Sequence, residues 1–206
     1  VQNERGDERR FLDTVWTIQV ARGALLSLLA LALAWPAARL YGEPQLVALI
    51  AVSGLTTLIA GFESTSLLSL RRHVRLGPLM ALEIVARAVS LAGMVAWALV
   101  HPSVWALVAG GLIDALLRLA GSHWLHEGPR DRFGWDPLAA RSVLHFSKWI
   151  FASSAVFFFA RQGDRLLLGR LIGMAVLGVY SIALFLSEAV GTLVSRITHG
   201  VLFPIF

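Results

Sequence analysis

The chain has no cysteine and only one lysine, and each shortage excludes a class of site. The absence of cysteine rules out a disulfide framework, thiolate metal centres and a cysteine nucleophile. Lys148, the only lysine among 18 basic residues, stands in Phe-Ser-Lys-Trp and therefore lacks the glycine-rich context of a P-loop. The motifs of zinc proteases, serine hydrolases and dinucleotide-binding proteins are also missing, so we expect no enzyme, no cofactor and no metal site.

Charge is scarce as well, and apolar residues take its place. Charged residues make up 15% of the 206 positions, against roughly a quarter in a soluble domain, whereas 57% are hydrophobic. The net charge of +5 comes from basic residues between long apolar runs, which indicates positive inner loops of a membrane protein and no nucleic-acid partner. We therefore predict an all-α, polytopic transmembrane helix bundle in a lipid bilayer.

Apolar segments predict about six membrane spans, because a helix needs about 20 residues to cross a bilayer. Pro36 and the cluster at 41–44 mark the turn after the first span, and Asp136 with Pro137 fits an N-cap and first helical residue. The predicted spans are 15–35, 45–68, 77–100, 104–124, a fifth that begins near 146, and 176–194.

Basic residues in the loops predict the orientation of these spans. Helix parity places the N-terminal tail, the second loop and the polar stretch 126–145 on one side, and the opposite side has only Arg39 in its first two loops. The N-terminal end is therefore expected in the cytoplasm. The fifth helix could end near Ala160 or continue to about Gly173, and we favour the long helix because an outer loop at 161–170 would break the charge pattern. The inner basic residues are Arg5, Arg9, Arg10, Arg71, Arg72, Arg75, Arg130, Arg132 and Arg141.

Several charged residues fall inside the predicted spans, where a charge usually faces a bundle interior or a wet cavity. Glu83 precedes Arg87 by four residues, and Asp114 precedes Arg118 by four, so each pair is expected to neutralise itself along its own helix more readily than to contact substrate. Arg22 has no acid within four residues and needs either a partner from another helix or an anionic ligand.

A second group of charges lies in the second half of the chain. Arg161 and Arg165 share one helix face and repel each other unless an anion or a carboxylate lies between them, so they mark either an anion site or an outer interface cluster. Asp164 points elsewhere on the same helix. Glu63 and Glu188 could bind a cation or proton, although an acid inside a span more often forms an ion pair with an arginine on a neighbouring helix.

Several segments together resemble a known transporter family. They are Phe-Leu-Asp-Thr-Val-Trp-Thr-Ile-Gln-Val-Ala-Arg-Gly at 11–23, the motif Gln-Gly-Asp-Arg-Leu-Leu-Leu-Gly-Arg-Leu-Ile-Gly at 162–173, and shorter matches at 38–44, 104–110, 146–150 and 177–180. In this order and spacing the chain resembles the polysaccharide transporters, or Wzx-type oligosaccharide flippases, of the MOP exporter superfamily. The resemblance covers nearly the whole chain.

The resemblance implies a fold of two helical lobes around a central cavity, of which this chain would be a fragment. Residues 1–124 would supply four helices of the N-terminal lobe, 125–145 the cytoplasmic connection, and 146–206 the first two helices of the C-terminal lobe. The implied function is flipping undecaprenyl-pyrophosphate-linked oligosaccharides across the bacterial inner membrane for polysaccharide or lipopolysaccharide synthesis, with polysaccharide-assembly proteins as further partners.

The resemblance also suggests roles for the charged residues. Arg22 and Arg165 would clamp the pyrophosphate, with Arg161 and Asp164 nearby in the substrate site, and Glu63 or Glu188 would couple transport to an ion gradient. Two alternatives stay open, namely a MATE-type drug or cation antiporter and a non-transporting membrane component of polysaccharide assembly. An antiporter would need acids to dominate the cavity, whereas arginine dominates here.

Overall fold

The computed structural model describes residues 9–67, 70, 76–125, 131–171, 173 and 176–188. Every regular element in these ranges is a helix, which confirms the all-α prediction. The helices are α1 (Arg9–Tyr41), α2 (Gln45–Gly61), α3 (Leu76–Val100), α4 (Trp105–Trp124), α5 (Pro137–Leu171) and α6 (Val176–Glu188). The chain divides into two compact units, 1–149 and 150–206, and in the first unit α1 packs on α2, α2 on α4 and α3 on α4.

Four of these helices, α1, α3, α4 and α5, are long and apolar enough to cross a membrane. Their outward faces carry large apolar side chains; Leu28 on α1 and Leu99 on α3 are 62% and 81% exposed. A soluble protein rarely exposes so much contiguous apolar surface, whereas lipid covers it without cost. The chain is therefore a multi-pass membrane protein. α2 and the described part of α6 are shorter apolar helices.

Small residues line the contact between α1 and α2. Gly23 of α1 lies so near α2 that an added Cβ would stand 2.8 Å from the Thr57 carbonyl oxygen and 3.0 Å from the Gly61 Cα. About two turns further along, a Cβ on Gly54 would stand 2.9 Å from the Ala30 Cβ. Helices in lipid associate through close van der Waals packing of this kind, because burial of apolar surface gives them no advantage over lipid contact.

Helix α1 extends beyond the predicted turn at Pro36. It passes through this proline and ends at Tyr41, after which Gly42 takes a positive φ of 71°. Pro36 has no N–H and therefore cannot donate the backbone hydrogen bond of its turn. Ala34 and Ala38 are buried on either side of it, so packing against other residues keeps this part of α1 helical. The expectation of a turn at Pro36 was therefore wrong, whereas the turn at 42–44 is confirmed.

Helix α2 is shorter than the predicted second span, which was expected to reach residue 68. It ends at Gly61, where the Phe62 N–H donates to the Ile59 carbonyl at 3.0 Å. The side chain of Gln19 donates to the carbonyls of Ala60 and Glu63 at 3.2 and 3.1 Å, so it ties α1 to the end of α2 and to the segment after it. Glu63 consequently lies just after the helix and not within it.

Helix α5 is the long continuous helix favoured by the loop charges. It begins at Pro137, and the Asp136 carboxylate accepts the Leu138 N–H at 3.0 Å, which confirms the predicted N-cap. The helix runs to Leu171, and Gly173 follows with a positive φ of 82°. Much of the stretch 126–145 is therefore helical, and 131–136 is its described non-helical part. The predicted end of the sixth span, at 189–194, lies outside the described residues.

Candidate functional site

The charges of α3 and α4 pair across the two helices. Arg87 on α3 lies 3.4 Å from Asp114 on α4, and Arg118 on α4 lies 3.7 Å from Glu83 on α3. The two helices run antiparallel, so the residues that are four apart on one helix face their counterparts on the other. The sequence pattern predicted neutralisation along each helix; the ion pairs shown here instead cross between the helices and tie them together.

Arg118 also binds the first of the two ion-coupling candidates. Its Nε lies 3.7 Å from the Glu63 carboxylate, and both side chains are about four-fifths buried, at 23% and 19% exposure. Arg118 thus stands between Glu63 from the end of α2 and Glu83 from α3, and it joins three elements of the first unit. This agrees with the expectation that an acid in this region forms an ion pair with an arginine.

A buried hydroxyl network, which sequence reasoning missed, adjoins this ion-pair group. Ser64 and Thr65 both donate to the Asp131 carboxylate, the former at 2.6 Å. Ser122 at the end of α4 accepts the Ser64 N–H at 3.0 Å, and its carbonyl accepts the Ser66 hydroxyl at 3.0 Å. A Ser-Thr-Ser run directly after an apolar helix was the available signal, because buried hydroxyls require partners.

The segment 131–136 docks on the start of α1. The Gly134 N–H donates to the Thr17 hydroxyl at 3.0 Å, and the Asp136 N–H donates to the Thr14 hydroxyl at 2.9 Å. Trp16 lies between two aromatic rings, with centroid distances of 4.7 Å to Phe133 and 6.3 Å to Phe62. These contacts fix the position at which α5 begins.

The second unit brings together four of the predicted site residues, namely Arg161, Asp164, Arg165 and Glu188. Arg161 lies 3.4 Å from the Glu188 carboxylate, so the acid on α6 supplies a counter-charge beside the Arg161–Arg165 face. Asp164 accepts the Tyr180 hydroxyl at 3.0 Å and the Arg165 N–H at 2.7 Å. Tyr180 was missed, because an apolar helix with one tyrosine reads as an ordinary interfacial span.

Two arginines keep donors that the described part of the chain does not use. Arg165 is half-buried, and its Nε is buried without a hydrogen-bond partner among the described residues. Arg22 is exposed on α1, next to the buried Gly23, and no described residue forms an ion pair with it. Arg22 belongs to the first unit and Arg165 to the second.

A polar and aromatic cleft opens on α5 within the second unit. It has a volume of about 560 Å³ and follows two adjacent i, i+4, i+8 rows of the helix. Arg161 lies at its end, with its guanidinium 5.5 Å from the Phe157 ring. The cleft therefore combines hydroxyls, an amide, a guanidinium and two aromatic rings. Its lining residues are Ser153, Ser154, Phe157, Phe158, Arg161 and Gln162.

Comparison of the amino-acid sequence with known proteins identifies the family of this chain. A family model described as polysaccharide biosynthesis protein matches residues 1–206. The chain is 29% identical over 177 residues to the amylovoran biosynthesis protein AmsL of Erwinia amylovora, which covers 85% of this chain and 46% of AmsL. It is 27% identical over 201 residues to the succinoglycan biosynthesis transport protein ExoT of Rhizobium meliloti (strain 1021), which covers 95% of this chain and 40% of ExoT. The chain thus spans less than half of either relative, and no solved structure matches it significantly.

Proposed function

Because this chain belongs to the polysaccharide biosynthesis protein family, we propose that it acts in a transporter that flips undecaprenyl-pyrophosphate-linked oligosaccharides across the bacterial inner membrane. Both relatives named above serve polysaccharide biosynthesis, and one of them is named as a transport protein. The resemblance of the motif at 162–173 to Wzx-type flippases supports the finer assignment.

The observation that carries this proposal is the cleft on α5. A membrane-spanning helix that served only as a lipid-facing anchor would not need Ser153, Gln162 and Arg161 on one cleft. Sugar rings offer hydroxyls to such donors and acceptors and apolar faces to aromatic rings such as Phe157. The Arg161 guanidinium at the end of the cleft adds further donors for sugar hydroxyls.

In this proposal Arg22 and Arg165 hold the pyrophosphate, and Arg161 and Asp164 border the sugar. Arg165 has a buried Nε that no described residue binds, and Arg22 has no ion pair with any described residue. A phosphate group would satisfy either guanidinium, since each presents a fork of N–H donors to phosphate oxygens. Asp164, fixed by the Tyr180 hydroxyl, can accept a sugar hydroxyl.

In the proposed transport cycle the two parts of the chain act in different lobes. Residues 1–124 belong to one lobe and 146–206 to the other, with 125–145 as their cytoplasmic connection, and rocking of the lobes exposes the substrate to each side in turn. Glu63 and Glu188 remain candidates for ion coupling. Each forms an ion pair with an arginine, so a proton or cation would act by competing with Arg118 or Arg161.

Export in a strain that lacks the full-length transporter tests the clamp. Arg22→Ala and Arg165→Ala should each lower polysaccharide export at least tenfold while the protein still inserts, because a hydrogen bond to a charged group contributes about 1.5–3 kcal/mol. Arg→Lys at either site should retain part of the export, since a point charge replaces a bidentate contact. Arg39→Ala is the matched control and should leave export unchanged. The Arg39 guanidinium lies 3.8 Å over the Trp35 ring near the outer end of α1, so it is not one of the proposed clamp residues.

Normal export by both alanine variants would contradict the clamp. Recovery of export when Arg165→Ala is combined with Glu188→Gln or Asp164→Asn would also contradict it and would indicate a structural ion pair. Export of a cationic drug in place of the polysaccharide would favour the antiporter alternative.

A further inference from the structure

The first turns of α5 carry a cationic face that the transport proposal does not use. Arg141, His145 and Lys148 follow one another at spacings of four and three residues, so they share one side of the helix, and all three are exposed. They line a cavity of about 510 Å³, and no carboxylate is among its lining residues. The other lining residues are Trp135, Pro137, Ala140 and Leu144.

Contacts with the rest of the first unit fix this face in place. Ala139, on the side of the helix start away from the cavity, is buried at 7% exposure, and Ala140 at the cavity wall is buried at 3%, so the helix start is packed. The Asp136 N–H binds Thr14 on α1, and the Asp136 carboxylate caps the Leu138 N–H. The start of the helix is therefore held against α1, and the backbone positions that carry the three basic residues are fixed with it.

The residues around the cavity are those expected at the level of the membrane headgroups. The uncharged apolar stretch of α5 begins at Trp149, and the Lys148 ammonium lies 5.6 Å from its ring. Tryptophan and basic residues concentrate at this boundary between headgroups and hydrocarbon. Loop charges put this end of α5 on the cytoplasmic side, where the leaflet is rich in anionic lipid.

We propose that this cavity is a binding site for one anionic glycerophospholipid of the cytoplasmic leaflet. Arg141 and Lys148 bind the phosphate, with His145 as a further donor, and the acyl chains run from there along the apolar stretch that begins at Trp149, which is 69% exposed. Charge complementarity favours this occupant over a neutral lipid, and the exposed apolar residues favour an amphiphile over a free anion. The lipid would anchor the start of α5 and the connection before it to one leaflet.

Native mass spectrometry of the delipidated full-length protein tests this site with two lipids that share dioleoyl chains. Phosphatidylglycerol should bind the wild type more tightly than phosphatidylcholine does. Arg141→Gln with Lys148→Gln should weaken phosphatidylglycerol binding by roughly tenfold or more and leave phosphatidylcholine unchanged, because each basic residue near an anionic headgroup contributes about 1 kcal/mol. Arg9→Gln with Arg10→Gln removes the same charge from two exposed residues outside the cavity and should change binding by less than about twofold.

Three results would overturn the site. The first is an equal loss in both double variants, which would indicate a diffuse basic surface. The second is no preference for phosphatidylglycerol over phosphatidylcholine. The third is displacement of phosphatidylglycerol by inorganic pyrophosphate from the wild type alone, which would indicate a site for free or substrate pyrophosphate.

Lys148→Gln, a single change at an exposed position, gives a second variant and should weaken phosphatidylglycerol binding by about fivefold.

Discussion

Arg118 shows how one side chain can organise the charges of a membrane helix bundle. It is the cation between Glu63 and Glu83, at 3.7 Å from each, and it is mostly buried. Arg87, one turn further along the pair of helices, is 69% exposed and pairs with Asp114, which is 13% exposed. Losing Arg118 removes an ion pair from two carboxylates, whereas losing Arg87 removes one ion pair whose cation water already reaches.

Replacing Arg118 should therefore destabilise the protein more than replacing Arg87. We expect Arg118→Gln to lower the free energy of unfolding by about 2 kcal/mol and Arg87→Gln by less than about 1 kcal/mol. Thermal unfolding of the purified full-length protein measures both effects. Combining Arg118→Gln with Glu63→Gln and Glu83→Gln should restore much of the loss, because the two carboxylates then carry no charge. Equal melting temperatures for the two arginine variants would contradict the role of Arg118.

At the scale of the helices, the contact between α1 and α2 depends on glycine. The backbone of α2 at Thr57 and Gly61 approaches Gly23 more closely than a Cβ permits. Both approaching atoms belong to the backbone, so a larger residue cannot be accommodated by rotating a side chain. The helix pair must separate instead, and this also disturbs Gln19, which binds the carbonyls at the end of α2.

Gly23→Ala should consequently weaken the α1–α2 pair, by roughly 1–3 kcal/mol, as overpacking does elsewhere. Gly111→Ala is the matched control on α4, since its Cβ would meet only the Thr56 methyl carbon at 4.0 Å. Alanine is the better helix former, so this control should be neutral or slightly stabilising. The yield of monodisperse protein and its melting temperature report both changes. A Gly23→Ala protein as stable as the wild type would show that the helices can shift apart at little cost.

For the whole molecule, the distribution of basic residues predicts which way the helices cross the membrane. The loop between α3 and α4 holds Ser103 and no lysine or arginine, whereas the segment before α5 holds Arg132. Both positions are exposed. Ser103 should therefore face the outside and Arg132 the cytoplasm.

Residues 1–206 contain no cysteine, so a full-length protein whose other cysteines, where present, are replaced by serine makes this orientation measurable. A single cysteine at Ser103 in the full-length protein should react with an impermeant maleimide added to intact spheroplasts. A single cysteine at Arg132 should react only after the membrane is permeabilised. Labelling of the Arg132 position in intact spheroplasts would reverse the orientation, and with it the leaflet assigned to the lipid cavity.

Much of this architecture follows from the order of the amino acids alone. Apolar length predicts the helices, because a backbone in lipid must satisfy its hydrogen bonds within each segment. Loop charge predicts that α5 continues past Arg161, and the Asp136-Pro137 pair predicts where the helix begins. These features depend on neighbouring residues or on the bilayer, which acts on every segment alike.

The ion pairs and the end of α2 instead depend on which helices become neighbours. Arg87 has acids at comparable reach on its own helix and on α4, and the antiparallel packing of α3 against α4 brings Asp114 to it. The path of α1 through Pro36 and the early end of α2 at Gly61 likewise rest on contacts with residues far away in the chain, among them Gln19. The spacing of residues within one segment cannot predict such partners, because they come within reach only once the helices pack against one another.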